Sequence, residues 1–222
     1  MMRVVGICLL LLLLAVVHNI HAEGFEDPPL EAINKALKYT DKAYFNHNGG
    51  EIALSAGWLK ADEDLNNIQI KLGRGYPRYT IDIDRMMASK DSSMLDCLEF
   101  VAWCFPIYFD GEYRLSIEIK QNGNEYRLYQ IGFVPAAPAI IEARESMKQE
   151  EGYSHAHVQI LGGPSIVVAK VKGVLLAKVL NEWAKKELFG KDRANADAYI
   201  NADEIFKKMR DADLMNRGIR IE

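Results

Sequence analysis

Cysteine is scarce in this chain: of 222 residues only three are cysteine, and one of them, Cys8, sits inside an apolar run near the start. A densely disulfide-stapled scaffold is thereby excluded, and stability has to come from a buried core. A bilayer-spanning stretch is also missing, because the uninterrupted apolar run from Ile7 to Val17 falls short of the ~20 residues a helix needs to cross a ~30 Å hydrocarbon core. So is an excess of basic charge. With a formal net charge of −4, the chain does not offer the positive surface that general nucleic-acid or anionic-membrane binding requires. It contains no G-x-S-x-G elbow, no H-E-x-x-H, no phosphate-cradling glycine loop and no calcium loop, and no Asn-x-Ser/Thr acceptor follows Ala22. N-glycosylation is not expected, and the missing catalytic signatures tilt the reading away from an enzyme.

What is present begins with an address. In MMRVVGICLLLLLLAVVHNIHA one arginine precedes the apolar run and a polar stretch ends in Ala22, the pattern of a secretory signal peptide, although the small-x-small cleavage rule is half met because Ile20 is bulky. Residues 1–22 are therefore expected to be removed, leaving residues 23–222 as one globular domain that is secreted or periplasmic and keeps no stable membrane anchor. Removal takes Arg3 and no acid, so the formal charge becomes −5.

Two cysteines then remain, Cys97 and Cys104. An oxidising compartment points to a disulfide between them. Read as one continuous helix, however, SSMLDCLEFVAWCF would separate them by about 10.5 Å along the axis, beyond the ~7 Å limit on Cα separation. A bridge needs a break in that helix, and two buried thiols are the alternative.

Behind Pro28 and Pro29, LEAINKALKYTDKAYF sets Leu30, Ile33, Leu37, Tyr44 and Phe45 near one helical stripe, and NHNGG stops it. From Glu51 to Phe133 the period becomes two. Ile68, Ile70 and Leu72 alternate with polar residues, as do Tyr79, Ile81 and Ile83, which puts Asp82 and Asp84 on the polar face of a strand. In RLSIEIKQNGNEYRLYQIGF, Asn122-Gly123 reads as a two-residue hairpin loop. That register opposes Ile119 to Tyr126 and Ile117 to Leu128, with Lys120 against Glu125 and Glu118 against Arg127 on the solvent face.

A short polar helix after Pro135 and Pro138 and a strand HAHVQIL follow. From Ser165 to Phe189, Val168, Val171, Leu175, Val179 and Trp183 recur at helical spacing opposite Lys170, Lys172, Lys178, Lys185 and Lys186, which predicts a long covering helix ended by Gly190. Asn201 with Glu204 marks a capped final helix. The fold class expected is α+β: a mainly antiparallel sheet of about five or six strands, covered by that long helix and flanked by N- and C-terminal helices.

His155, His157 and Gln159 project from one side of the HAHVQIL strand. The string HAHVQILGG resembles the active-site strand of the histidine-triad nucleotide hydrolases and their nucleotidyltransferase relatives. The resemblance covers about nine residues and departs from the hydrolases at Gln159, where they carry a third histidine; it implies His157 as nucleophile with His155 and Gln159 in support. A metal on the two imidazoles would need further ligands, for which Asp82 and Asp84 are the candidates only if the strands are neighbours. No metal or cofactor is expected.

Three functional readings follow. The first is an exported binding protein, an inhibitor or immunity-type partner of another exported protein. The second is a carrier of a small apolar ligand, in a pocket between sheet and long helix lined by Trp58, Trp103 and Trp183. The third is a hydrolase or transferase using His155 and His157.

Overall fold

The computed structural model describes residues 25–42, 59–60, 63–88, 93–132, 134–147, 150, 152–160, 163–190 and 197–212. The expected leader, residues 1–22, lies outside them, as does Trp58.

Helix α1 (Leu30–Leu37) starts where Pro29 presets an extended approach and lends its carbonyl to the amides of Ala32 and Ile33. Its buried face differs from the expected stripe. Ala32 and Ala36 are fully buried, whereas Leu30 and Leu37 are exposed, because two small residues four apart let the helix lie close against the sheet.

The strands are β1 (Ile70–Leu72), β2 (Tyr76–Ile81), β3 (Leu98–Phe109), β4 (Glu112–Asn122), β5 (Glu125–Gly132), β6 (Ser154–Gln159), β7 (Ser165–Val171), β8 (Val174–Val179) and β9 (Ile200–Asn201). Between them lie α2 (Ile83–Ala88), a 3-10 turn (Leu95–Cys97), α3 (Ala137–Met147) and α4 (Glu182–Phe189), and α5 (Ala202–Asp211) follows β9. All nine strands belong to one sheet of order β5-β4-β3-β2-β6-β7-β8-β9, with β1 also on β3. The sheet is mixed. β2 runs parallel to β6, Arg78 facing His157, and the other pairs are antiparallel.

The expected, mainly antiparallel sheet of about five or six strands is thus a mixed sheet of nine, and the expected fold is corrected in three further places. The long helix over Ser165–Phe189 does not form; the segment is the β7–β8 hairpin followed by the short α4. Lys172 and Gly173 both take positive φ, 51° and 78°, the requirement of a two-residue turn whose twist suits a hairpin. Among the described residues the cover is instead shared by five short helices on both faces of the sheet. Second, SSMLDCLEFVAWCF is mostly strand β3 rather than helix. Third, the β4–β5 register is displaced by two. Gly123 and Asn124 form the loop, so Ile119 faces Leu128 and Lys120 faces Arg127, and an irregularity at Tyr129 then sets Glu118 opposite Gln130. Because side chains alternate with period two, the displacement of two preserves the faces from Ile119 to Asn122, whereas beyond the irregularity the offset is three and the β5 side chains change face, Ile131 now lying opposite Ile117.

Alternation along β2, β3 and β6 puts two apolar clusters on one face of the sheet and one on the other. The first face holds Phe105, Ile107, Leu115 and Ile117 under α1, and Val158, Ile166, Val168 and Phe206 with α4 and α5. On the opposite face α3 packs Ala137, Ile140 and Ala143 against Tyr76, Cys104 and Val167. The expected cap on α5 is formed, with Asn201 Oδ1 accepting from the amides of Asp203 and Glu204 at 2.9 and 3.3 Å.

Candidate functional site

The face beneath α3 carries an unusual amount of polarity for a sheet interior. Glu118 from β4, Cys104 from β3, Tyr76 and Arg78 from β2, and His155 and His157 from β6 are neighbours by strand register. Arg78 donates to Glu118 Oε2 at 2.6 Å across the intervening strand, with both side chains largely buried. Burial pushes the Glu118 carboxyl up while Arg78 pulls it down. The Cys104 thiol donates to the Tyr76 hydroxyl at 3.2 Å, and burial, reinforced by Glu118, pushes the thiol up to about 12. It is held as a neutral SH, unsuited to nucleophilic work.

His157 is 1% exposed. Its Nε2 lies 2.8 Å from Ser165 Oγ, and its Nδ1 has no hydrogen-bond partner among the described residues. Burial, then the Arg78 charge, lowers its pKa to about 3. His155 is 8% exposed and lies between two phenol rings: Tyr153 stacks on it at 5.4 Å and 14°, and Tyr76 meets it at 5.8 Å. Burial, then Arg144 and Arg74, lowers its pKa to about 4, with Asp27 acting the other way. Both imidazoles are therefore neutral at pH 7. Gln159, on the same side of β6, is exposed.

The remaining sequence candidates are scattered. Cys97 and Cys104 are both buried and not bridged. The extended chain from Leu98 to Cys104 separates them by about 20 Å, far beyond the reach of a disulfide, and they belong to clusters on opposite faces. Asp82 and Asp84 do not share a strand face: β2 ends at Ile81, Asp82 Oδ1 caps α2 by accepting from the Arg85 amide at 2.9 Å, and Asp84 lies within α2. Among the described residues no three His, Cys, Asp or Glu side chains are grouped to hold a metal. Trp103 is buried beneath α1, while Trp183 is 43% exposed on α4. The helix that was to close a pocket over them is absent, and the carrier reading loses its site.

Sequence reasoning overlooked Arg78, Glu118 and Tyr76. Glu118 sits in SIEIK among alternating apolar residues, a pattern that assigns it to solvent; only Arg78, forty positions away, makes its burial tolerable.

Two surface features adjoin this network. A cleft of about 200 Å3 lies among residues 25–27, 74–77 and 152–155, at the amino ends of β2 and β6. Gly75 shapes one wall, since a Cβ there would sit 2.6 Å from the Phe105 ring and 2.7 Å from Pro28. Gly152, at φ 64°, turns the chain into β6. The Phe25 amide donates to Ser154 Oγ at 2.9 Å, and Arg74 pairs with Asp27 at 2.7 Å across the mouth. On the other face of the sheet four rings form a contact chain: Phe25 to Tyr79 at 5.8 Å, Tyr79 to Phe100 at 5.8 Å, and Phe100 to Trp103 at 5.1 Å. Phe100 is 42% exposed despite lying on the sheet's longest strand.

The chain matches no family model, and neither a curated protein nor a solved structure matches it.

Proposed function

We propose that this chain is an exported binding protein that recognises another exported protein through the aromatic row centred on Phe100. The observation that carries this reading is a ring held by aromatic neighbours on both sides, Tyr79 and Trp103, yet 42% open to solvent. Held aromatic side chains lose little entropy on docking and supply the central anchors of protein interfaces. Glu26 borders the row and, after burial, helps push the Tyr79 hydroxyl up to about 12. With the chain's net negative charge, this favours a partner presenting an apolar pocket with a basic rim. The burial of His157 beside Ser165 and Arg78, away from the cleft that His155 lines between two tyrosine rings, supports binding over hydrolysis.

The test is affinity capture from the native extracellular or periplasmic extract with the wild-type protein and Phe100→Asp, each checked for folding by thermal melt. One protein retained by the wild type and released at least tenfold by Phe100→Asp is the expected result. Equal retention by the variant, or retention of nothing by either, overturns the proposal.

A further inference from the structure

We propose that the cleft at the amino ends of β2 and β6 is a binding site for a small aromatic carboxylate, its ring against the Tyr76–His155–Tyr153 wall and its carboxylate shared by His155 and Arg74. Three observations converge. The first is an unmet hydrogen-bonding demand. His155 lines the cleft with 8% of its surface exposed, and the Tyr153 hydroxyl of the same wall is buried with no partner among the described residues, although buried polar groups are normally paired. A carboxylate oxygen entering the cleft accepts from the neutral imidazole, which carries one N–H.

The second observation is charge. Arg74 stands at the mouth with 59% of its side chain exposed, tied to an Asp27 that is more exposed still. Such surface pairs are weakly held and screened by salt, so the guanidinium can exchange Asp27 for a ligand carboxylate in the planar, two-pronged geometry it favours. Arg144 adds a second positive charge near the imidazole, and with Arg74 it outranks the opposing Asp27 among the charges acting on that ring. Glu26 also borders the cleft and selects against ligands with more than one negative charge.

The third is size and shape. A cavity of about 150 Å3 lined by apolar groups accommodates benzene; the volume here, about 200 Å3, holds one ring with a carboxyl group. The wall rings are already held by one another, Tyr153 stacked on His155 at 5.4 Å and Tyr76 tilted 44° to it at 5.8 Å, so little conformational freedom is lost on binding. The cleft shares Phe25 and Glu26 with the end of the aromatic row proposed for protein docking, but Phe100, at the row's centre, does not line it, and Phe100→Asp is expected to leave it intact.

Calorimetric titration of the purified protein with benzoate, benzyl alcohol, benzylamine and acetate tests the proposal. Benzoate is expected to bind at least tenfold more tightly than benzyl alcohol or benzylamine, and acetate not measurably. Arg74→Gln is expected to weaken benzoate roughly tenfold or more while leaving benzyl alcohol unchanged, since a charge-assisted contact is lost but the ring wall is kept. His155→Phe, which keeps the stack and removes the nitrogens, is expected to abolish the preference for the carboxylate. Arg74 lies at the surface, so its variant decides the matter even if His155→Phe does not fold. Benzoate bound no better than benzyl alcohol, or bound equally by wild type and Arg74→Gln, overturns the assignment.

Discussion

Lowering the pH from 7.5 to 5 protonates His155 and His157 in the unfolded chain but not in the folded one, and the difference is a stability loss that can be worked out. The folded pKa values, about 4 for His155 and about 3 for His157, lie below the unfolded value of about 6.5. For a histidine depressed on folding, the unfolded state binds the extra proton, so stability is fully present above pH 6.5 and falls as the pH drops towards the folded pKa. At about 1.4 kcal/mol per pH unit, each histidine costs about 2 kcal/mol between pH 7.5 and 5, and the two together about 4 kcal/mol. That is a large fraction of the roughly 5–15 kcal/mol that stabilises a typical domain. Glu118 works in the opposite sense, because a carboxyl raised by burial stabilises the fold as it takes up its proton; comparing the wild type with His155→Gln and His157→Gln at each pH cancels it. Urea denaturation followed by circular dichroism at half-unit steps is the assay, and each variant should flatten the slope by about half. A wild-type midpoint that does not move between pH 7.5 and 5, or a slope unchanged in both variants, refutes the buried, neutral imidazoles.

Two further outcomes follow from the network under α3. Glu118→Ala leaves the Arg78 guanidinium buried without its carboxylate and should cost about 3–5 kcal/mol, whereas the pair Arg78→Met with Glu118→Leu should recover most of the loss; additive losses in denaturant midpoints would show that the two residues do not act as a unit. Cys104, neutral and enclosed, should resist iodoacetamide in native buffer and react in urea, and peptide mapping without reductant should find no bridge to Cys97; carboxymethyl-Cys104 from the native protein, or a linked peptide, contradicts the buried-thiol geometry.

Short-range signals were legible where one residue's chemistry settles the local backbone. The β6 strand, the hairpin near Gly123, the Asn201 cap and the helix after Pro29 all appear in the structure, two of them with altered details: the hairpin loop moved by one residue, and α1 buries its alanines in place of its leucines. The failures share a cause. In Ser165–Phe189 the run Ile166–Ala169 of β7 is apolar without interruption and buried on both faces, so it fits a helical stripe as readily as a strand. Lys172-Gly173 was the local sign of a hairpin. The same ambiguity turned β3 into an expected helix, while the disulfide expected of Cys97 and Cys104 came from the compartment and not from any local geometry. Glu118 failed differently, since alternation assigns a face to a residue but does not say whether that face is wet.

By itself, then, the sequence determined the positions of turns and caps and the side of the strand on which His155 and His157 stand, because these depend on backbone preferences within a few residues. Tertiary structure alone decided that the side bearing the histidines is interior, that Arg78 reaches Glu118, and that residues near 26, 74 and 154 enclose one cleft. Those outcomes depend on the parallel pairing of β2 with β6 and on α3 closing over them, contacts between segments some eighty positions apart that no local pattern encodes.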